Sequence, residues 1–147
     1  MALNGQLHIG GQDIVFLAPL TISTAITATA TSPVKRLSGV NYLCVEAVFL
    51  YGSGGTTANA YIQTSLDGGL TWVDIMNFSF TTAAATKISA VVATTALAAA
   101  VTPTDGSLTA NTILSGLFGS WYRAKYVTTG TYAGATSLAL YGVAQNL

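Results

Sequence analysis

Two strand-like runs, Ala58 to Ser65 and Thr71 to Phe80, flank the tripeptide Asp67-Gly68-Gly69, and this arrangement constrains the fold more than any other feature. Asp-Gly supplies the positive φ that a tight hairpin turn needs. The same grammar recurs along the chain: short apolar segments are separated by Gly, Ser, Thr, Asn and Pro breaks. In Tyr42 to Tyr51, the odd positions Leu43, Val45, Ala47 and Phe49 make one apolar face, and Glu46 is the lone charge on the other. Thr, Val, Tyr and Ala are abundant while Glu, Lys and Arg are scarce, which favours strands over helices.

Eight strands are expected, at Asp13–Ile22, Tyr42–Tyr51, Ala58–Ser65, Thr71–Phe80, Thr86–Leu97, Thr112–Phe118, Ser120–Thr128 and Ala135–Ala144. The last two read as a second hairpin over Gly130 to Gly134, and Ala96 to Ala100 has the composition of a helical turn. The expected fold is all-β: a single antiparallel β-sandwich of jelly-roll type with about eight strands. Residues 1–12 read as an N-terminal arm and residues 13–147 as the sandwich domain. No long-period repeat points to a propeller or solenoid.

A chain of 147 residues fits one domain and can bury a core without disulfides, and the lone Cys44 can form none internally. Charged residues make up only 7% of the chain and cancel to net zero. An average globular protein carries about 25%. Low net charge removes the repulsion that keeps free molecules apart, which favours a surface covered by partners. The bases Lys35, Arg36, Lys87, Arg123 and Lys125 form no stripe that could release counterions from phosphates, so a nucleic-acid partner is not expected. Mean hydropathy is +0.56. Yet the longest apolar run, Ile88 to Val101, carries Ser89, Thr94 and Thr95 and falls short of the ~20 residues of a spanning helix, so no membrane partner is expected. The N-terminal residues, with Asn4, Gln6, His8 and Asp13, do not read as a signal peptide.

The residues that could carry chemistry are scattered. His8 has no carboxylate or cysteine near it in sequence, so no metal is expected. Cys44, in a strand and far from the only histidine, reads as a buried, inert thiol. Asp67 and Asp74 are the closest acids, but one lies in a turn, and Asp74 shares a strand face with Trp72 and Met76. A satisfied or ion-paired Asp74 is the simpler reading than half of a glycosidase pair. No nucleophile–base pair can be assembled, so neither an enzyme nor a cofactor is expected.

Ser65, Asp67, Gly69, Thr71 and Trp72 fit the Asp-box pattern S-x-D-x-G-x-T-W of sialidase-like propellers and many unrelated β proteins. A sialidase would need several copies in a propeller and an arginine cluster. With one copy and two arginines, these five residues read as a stabilised turn. The Asp67 carboxylate would accept backbone N–H bonds, Gly69 would take the left-handed conformation, and Trp72 would fold over the turn. On the strand near the C-terminus, Trp121, Arg123, Lys125 and Val127 share one face, and Tyr122, Ala124 and Tyr126 share the other. Aromatic and arginine residues together are a common interface mixture, so Trp121, Arg123 and Lys125 are candidate contacts. Leu7, His8 and Ile9, between glycines in the arm, are candidates for strand addition to a neighbour.

The stretches YIQTSLDGGLTWVDIMNFSF, NTILSGLFGSWYRAKYV and GTYAGATSLALYGVA lie within residues 43–144, about two-thirds of the chain. They resemble small structural proteins of the virions of tailed bacteriophages. The resemblance implies a β-rich capsid decoration, or cement, protein. It would be a homotrimer on the capsid surface, assembled in the bacterial cytoplasm and bound to the major capsid protein. Two further readings stay open: a tail, collar or head–tail junction ring, and a carbohydrate-binding or adhesion module with Trp72 and Trp121 as a stacking platform.

Overall fold

The computed structural model describes residues 11–22 and 30–147. Eleven strand segments are present among them: β1 (Gln12–Thr21), β2 (Ala30–Thr31), β3 (Lys35–Arg36), β4 (Tyr42–Leu50), β5 (Ser53–Gly54), β6 (Thr57–Ser65), β7 (Val73–Phe80), β8 (Ala85–Val92), β9 (Trp121–Thr129), β10 (Tyr132–Ala133) and β11 (Ser137–Gln145). The described residues contain no helix, so Ala96 to Ala100 is loop. The fold is an all-β sandwich. One sheet runs β1-β11-β4-β8. The other runs β9-β6-β7, with β2 and β3 both pairing with the outer side of β9. β5 and β10 form a separate ribbon. All pairings are antiparallel. Gln12, expected in the arm, opens β1 opposite Ala144.

The core forms where the two inner faces meet. Alternate residues of β4 (Leu43, Val45, Ala47, Phe49) pack against Ala58, Ala60 and Ile62 of β6 and Met76, Phe78 and Phe80 of β7. The period of two in the sequence is thus a period of two in burial. Phe49 and Phe80 stack at 4.9 Å across the sheets. A bulge in β7 breaks the alternation: Met76 pairs with Ile62, but Asp74 pairs with Gln63, leaving Ile75 as the extra residue. The bulge separates Asp74 from Met76, which were expected on one face. Met76 is in the core, while Asp74 bonds to residues outside it.

The expected hairpin of the last two long strands does not form. β9 pairs with β6, β11 pairs with β4 and β1, and the connection between them crosses from sheet to sheet. The reason is Tyr132. Its ring is fully buried and packs edge-on to Phe49 at 5.7 Å, and its hydroxyl donates to the Thr81 carbonyl at 2.8 Å. The Gly-rich segment is a corner that drives an aromatic plug into the end of the sandwich. Thr112 to Phe118 is not a strand either. It touches β7 through the single bridge Ile113–Met76 and through bonds from Leu114 N to Ile75 O and from Asn77 N to Thr112 O. Gly116, at φ +94°, turns it away from regular pairing. It covers the free edge of β7, one way sheets avoid sticky edges.

Candidate interaction surface

The two outer faces of the sandwich differ. On the β9-β6-β7 sheet, residues 103–119 fold back as a strap. Beneath the strap lies Asp74, which is fully buried. Its carboxylate accepts bonds from three successive backbone N–H groups: Gly106 (2.8 Å), Ser107 (2.9 Å) and Leu108 (3.1 Å). It also accepts one from Gln63 Nε2 at 2.7 Å. Consecutive N–H groups form an anion nest, and here the chain fills the nest with its own aspartate. Gly106 sits at φ +88°, and a Cβ there would come within 2.9 Å of Lys125 Cε. The position needs glycine both for its conformation and for space.

Asp105 extends the network. Gln63 Nε2 donates to it at 2.8 Å, and Lys125 Nζ donates to both its carboxylate and its carbonyl at 2.8 Å. Arg123 donates from Nε to Gln63 Oε1 at 2.8 Å. Burial pushes the Asp105 carboxyl up, but the bonds from Lys125 and Gln63 and the charges of Lys125 and Arg123 outweigh it. The carboxyl therefore lies below the ordinary carboxylate range. Both carboxylate oxygens of Asp74 accept from the chain's own donors, as does Oδ1 of Asp105. The arrangement holds a loop in place, and Asp74 has the satisfied character expected of it.

The turn matches its sequence reading closely. The Ser65 hydroxyl donates to Asp67 Oδ1 at 2.9 Å, Gly69 N donates to Ser65 Oγ at 2.9 Å, and Thr71 N donates to Asp67 Oδ1 at 2.8 Å. Bonds from the Thr71 N–H, the Thr71 side chain and Ser65 pull the Asp67 carboxyl down to about 2. Gly68 and Gly69 both have positive φ. Trp72 is only 8% exposed, and the Arg123 guanidinium lies over its ring, 4.1 Å from the centroid.

The expected alternation in β9 is present, with Tyr122 and Ala124 in the core. Trp121 is half-buried, and the exposed Arg36 guanidinium lies 5.1 Å from its ring centroid. Lys125 is buried and engaged by Asp105, so of the three expected contacts in β9 it is not on the surface. Arg123 is bound by Gln63 and Trp72, with 16% of its side chain exposed. Leu7, His8 and Ile9 lie outside the described residues.

Among the described residues, no strap crosses the opposite outer face, on β1-β11-β4-β8. The register lines up Val15, Tyr141, Glu46 and Ile88 in one row across all four strands. Val15 is 48% and Ile88 65% exposed. Asp13, Val143, Cys44 and Ala90 form the next row. Cys44 is on the outer face, as expected from alternation, but it is partly exposed and not buried, because no described residue packs over this sheet. A groove of about 400 Å³ runs among these side chains. The face was missed in the sequence because its apolar members fall at positions an alternating pattern assigns to solvent. Among the described residues, no group of three or more His, Cys, Asp or Glu is placed to hold a metal. No helix there is long and apolar enough to cross a membrane. No protein-family model matches the chain, and no curated protein sequence does.

Proposed function

We propose that the protein is a structural component of a bacteriophage virion that acts by binding protein surfaces, most simply as a capsid decoration protein associating as a homotrimer. The observation that carries the binding role is the asymmetry of the two outer faces. One is covered by a strap that is pinned through the Asp74 and Asp105 carboxylates. The other presents the exposed side chains Val15, Tyr141 and Ile88 in one row interrupted only by Glu46, on a chain with only 7% charged residues. An uncovered apolar face of this kind marks an interaction site. The virion setting is supported by the resemblance of the three stretches within residues 43–144.

We read the fold further as a jelly roll. With β2 and β3 taken as one interrupted strand and the short β5 and β10 set aside, eight strands lie in two sheets of four. The chain crosses between the sheets at every connection except β6 to β7. A stacking platform for sugars is disfavoured by Trp72, whose ring is covered by Arg123.

Mechanistically the role is passive. A protein that binds only the assembled shell stabilises it by mass action. Phage heads lacking the protein test this directly. The purified chain is expected to co-sediment with expanded heads and not with unassembled capsid subunits. Failure to bind heads at micromolar concentration refutes the decoration role.

A further inference from the structure

We infer that the β1-β11-β4-β8 face, which no described residue covers, is a self-association surface, and that its occupant is the Val34–Arg36–Trp121 patch of a second copy. The inference rests on the self-association in the reading above and names its two sides. Charge accounting within the chain leads to it. Asp67 is bound in its own turn, and Asp74 and Asp105 are bound under the strap. Arg123 and Lys125 are engaged there too, and Lys87 donates to Ser79 O and Asn111. The remaining charges are Asp13 and Glu46 on one side and Lys35 and Arg36 on the other, so the surplus is equal and opposite. Among the described residues no cation is within ion-pairing distance of Glu46, although it lies in the middle of the apolar row. A carboxylate in such a place gains from a cation brought by whatever covers the row.

The other patch has what that face lacks. Arg36 is exposed and positioned over Trp121, and Val34 beside it is 41% exposed. A guanidinium pre-set on an aromatic ring with an aliphatic neighbour is a typical interface anchor. The two patches are different surfaces, so their contact is head-to-tail, and head-to-tail contacts build rings or filaments. The patches flank one cleft, lined by Asp13, Lys35 and Arg36 among others. Val15 at the end of the row and Arg36 both line it, so the two patches are neighbours around the β1 edge. Each added copy is turned relative to the last, which favours a closed ring of few members over a filament.

Molar mass by size exclusion with light scattering tests the pairing. The wild-type chain is expected as a small ring, three times 15.0 kDa for a trimer. Glu46→Arg and Arg36→Glu each bring like charges together at the contact and should weaken association on the order of a hundredfold, giving monomers. Combining the two in one chain restores the opposite pairing in reverse and should restore the ring. Ile88→Glu, on the same row, provides a second disrupting variant. All four variants should keep the wild-type far-ultraviolet circular dichroism, because the substituted side chains lie outside the core, while the monomeric ones melt somewhat lower through loss of the partner. Thiol labelling of Cys44 gives an independent readout. It should be slow in the ring and fast in the Glu46→Arg monomer.

A monomeric wild type, a ring that neither single reversal disturbs, or a double reversal that stays monomeric overturns the inference. A monomer whose Cys44 is protected only on phage heads also overturns it, and assigns the face to the shell while leaving the decoration role intact. A Glu46-dependent ring that binds no head sustains the pairing and refutes decoration.

Discussion

Removing the Asp74 carboxylate should loosen the strap and cost a large share of the fold's stability. In Asp74→Ala the N–H groups of Gly106, Ser107 and Leu108 and the Gln63 amide lose their acceptor together. Hydrogen bonds to a charged group contribute about 1.5–3 kcal/mol each, and a buried donor left without a partner costs about 1–3 kcal/mol. The four do not add in full, because the strap is at the surface and can swing out to water. A loss of about 3–5 kcal/mol follows, the range for breaking a buried charged network on one side. Asp74→Asn keeps one carbonyl oxygen but turns an NH₂ toward the nest, so it should lose about 2–3 kcal/mol. Against a total stability of about 5–15 kcal/mol, either variant is severe. Urea unfolding is the assay. At a slope of about 2 kcal/mol/M, the midpoint should fall by about 1.5–2.5 M for alanine. Amide hydrogen exchange should quicken first at 104–114. Asp13→Asn, at an exposed carboxylate, is the control and should change stability by less than about 0.5 kcal/mol. A loss below about 1 kcal/mol for Asp74→Ala, with slow exchange retained at Gly106 to Leu108, would refute the nest as the anchor of the strap.

Gly106→Ala should destabilise by about 1–3 kcal/mol in the same assay, since it strains a φ of +88° and pushes on the Lys125 stem that meets Asp105. Tyr122→Phe should be neutral or stabilising by up to about 1 kcal/mol, because the fully buried Tyr122 hydroxyl approaches the Thr64 side chain without forming a well-aligned hydrogen bond. A thermal melt decides this, and a clear fall in Tm would show that the hydroxyl is bonded. Asp67 is held at about 2 against an ordinary value near 3.8, so its contribution is fully present above that ordinary value and is lost as pH falls toward 2. Stability measured against pH should show a shallower acid limb in Asp67→Asn than in wild type.

The parts legible in the sequence are those whose partners are close along the chain. The Ser65–Asp67–Gly69–Thr71 turn spans seven residues, so its bonding pattern is written in one local motif. The alternation in β4 likewise carried through to burial, because that strand packs a single face inward, whereas in β9 it holds only to Ala124, since Asp105 of the strap engages and covers Lys125 on the outer face. What escaped is non-local. The backbone donors to Asp74 are more than 30 residues away, and no feature near Asp74 announces them. Gly130 to Gly134 has the composition of a hairpin turn and of a cross-sheet corner alike. The choice between them falls to Tyr132, whose hydroxyl partner is Thr81. Thr112 to Phe118 has strand composition, yet it serves as an edge cover because β7 would otherwise end the sheet unprotected. The exposed row Val15–Tyr141–Glu46–Ile88 draws one residue from each of four strands, so only the register assembles it.

The central claim is that this chain works by covering and being covered. The most direct test is the temperature at which phage heads rupture, with and without saturating protein. Heads carrying the protein should rupture at a higher temperature, and the gain should grow with occupancy until every site is filled. Heads that bind the protein and rupture at the same temperature as bare heads would contradict the claim.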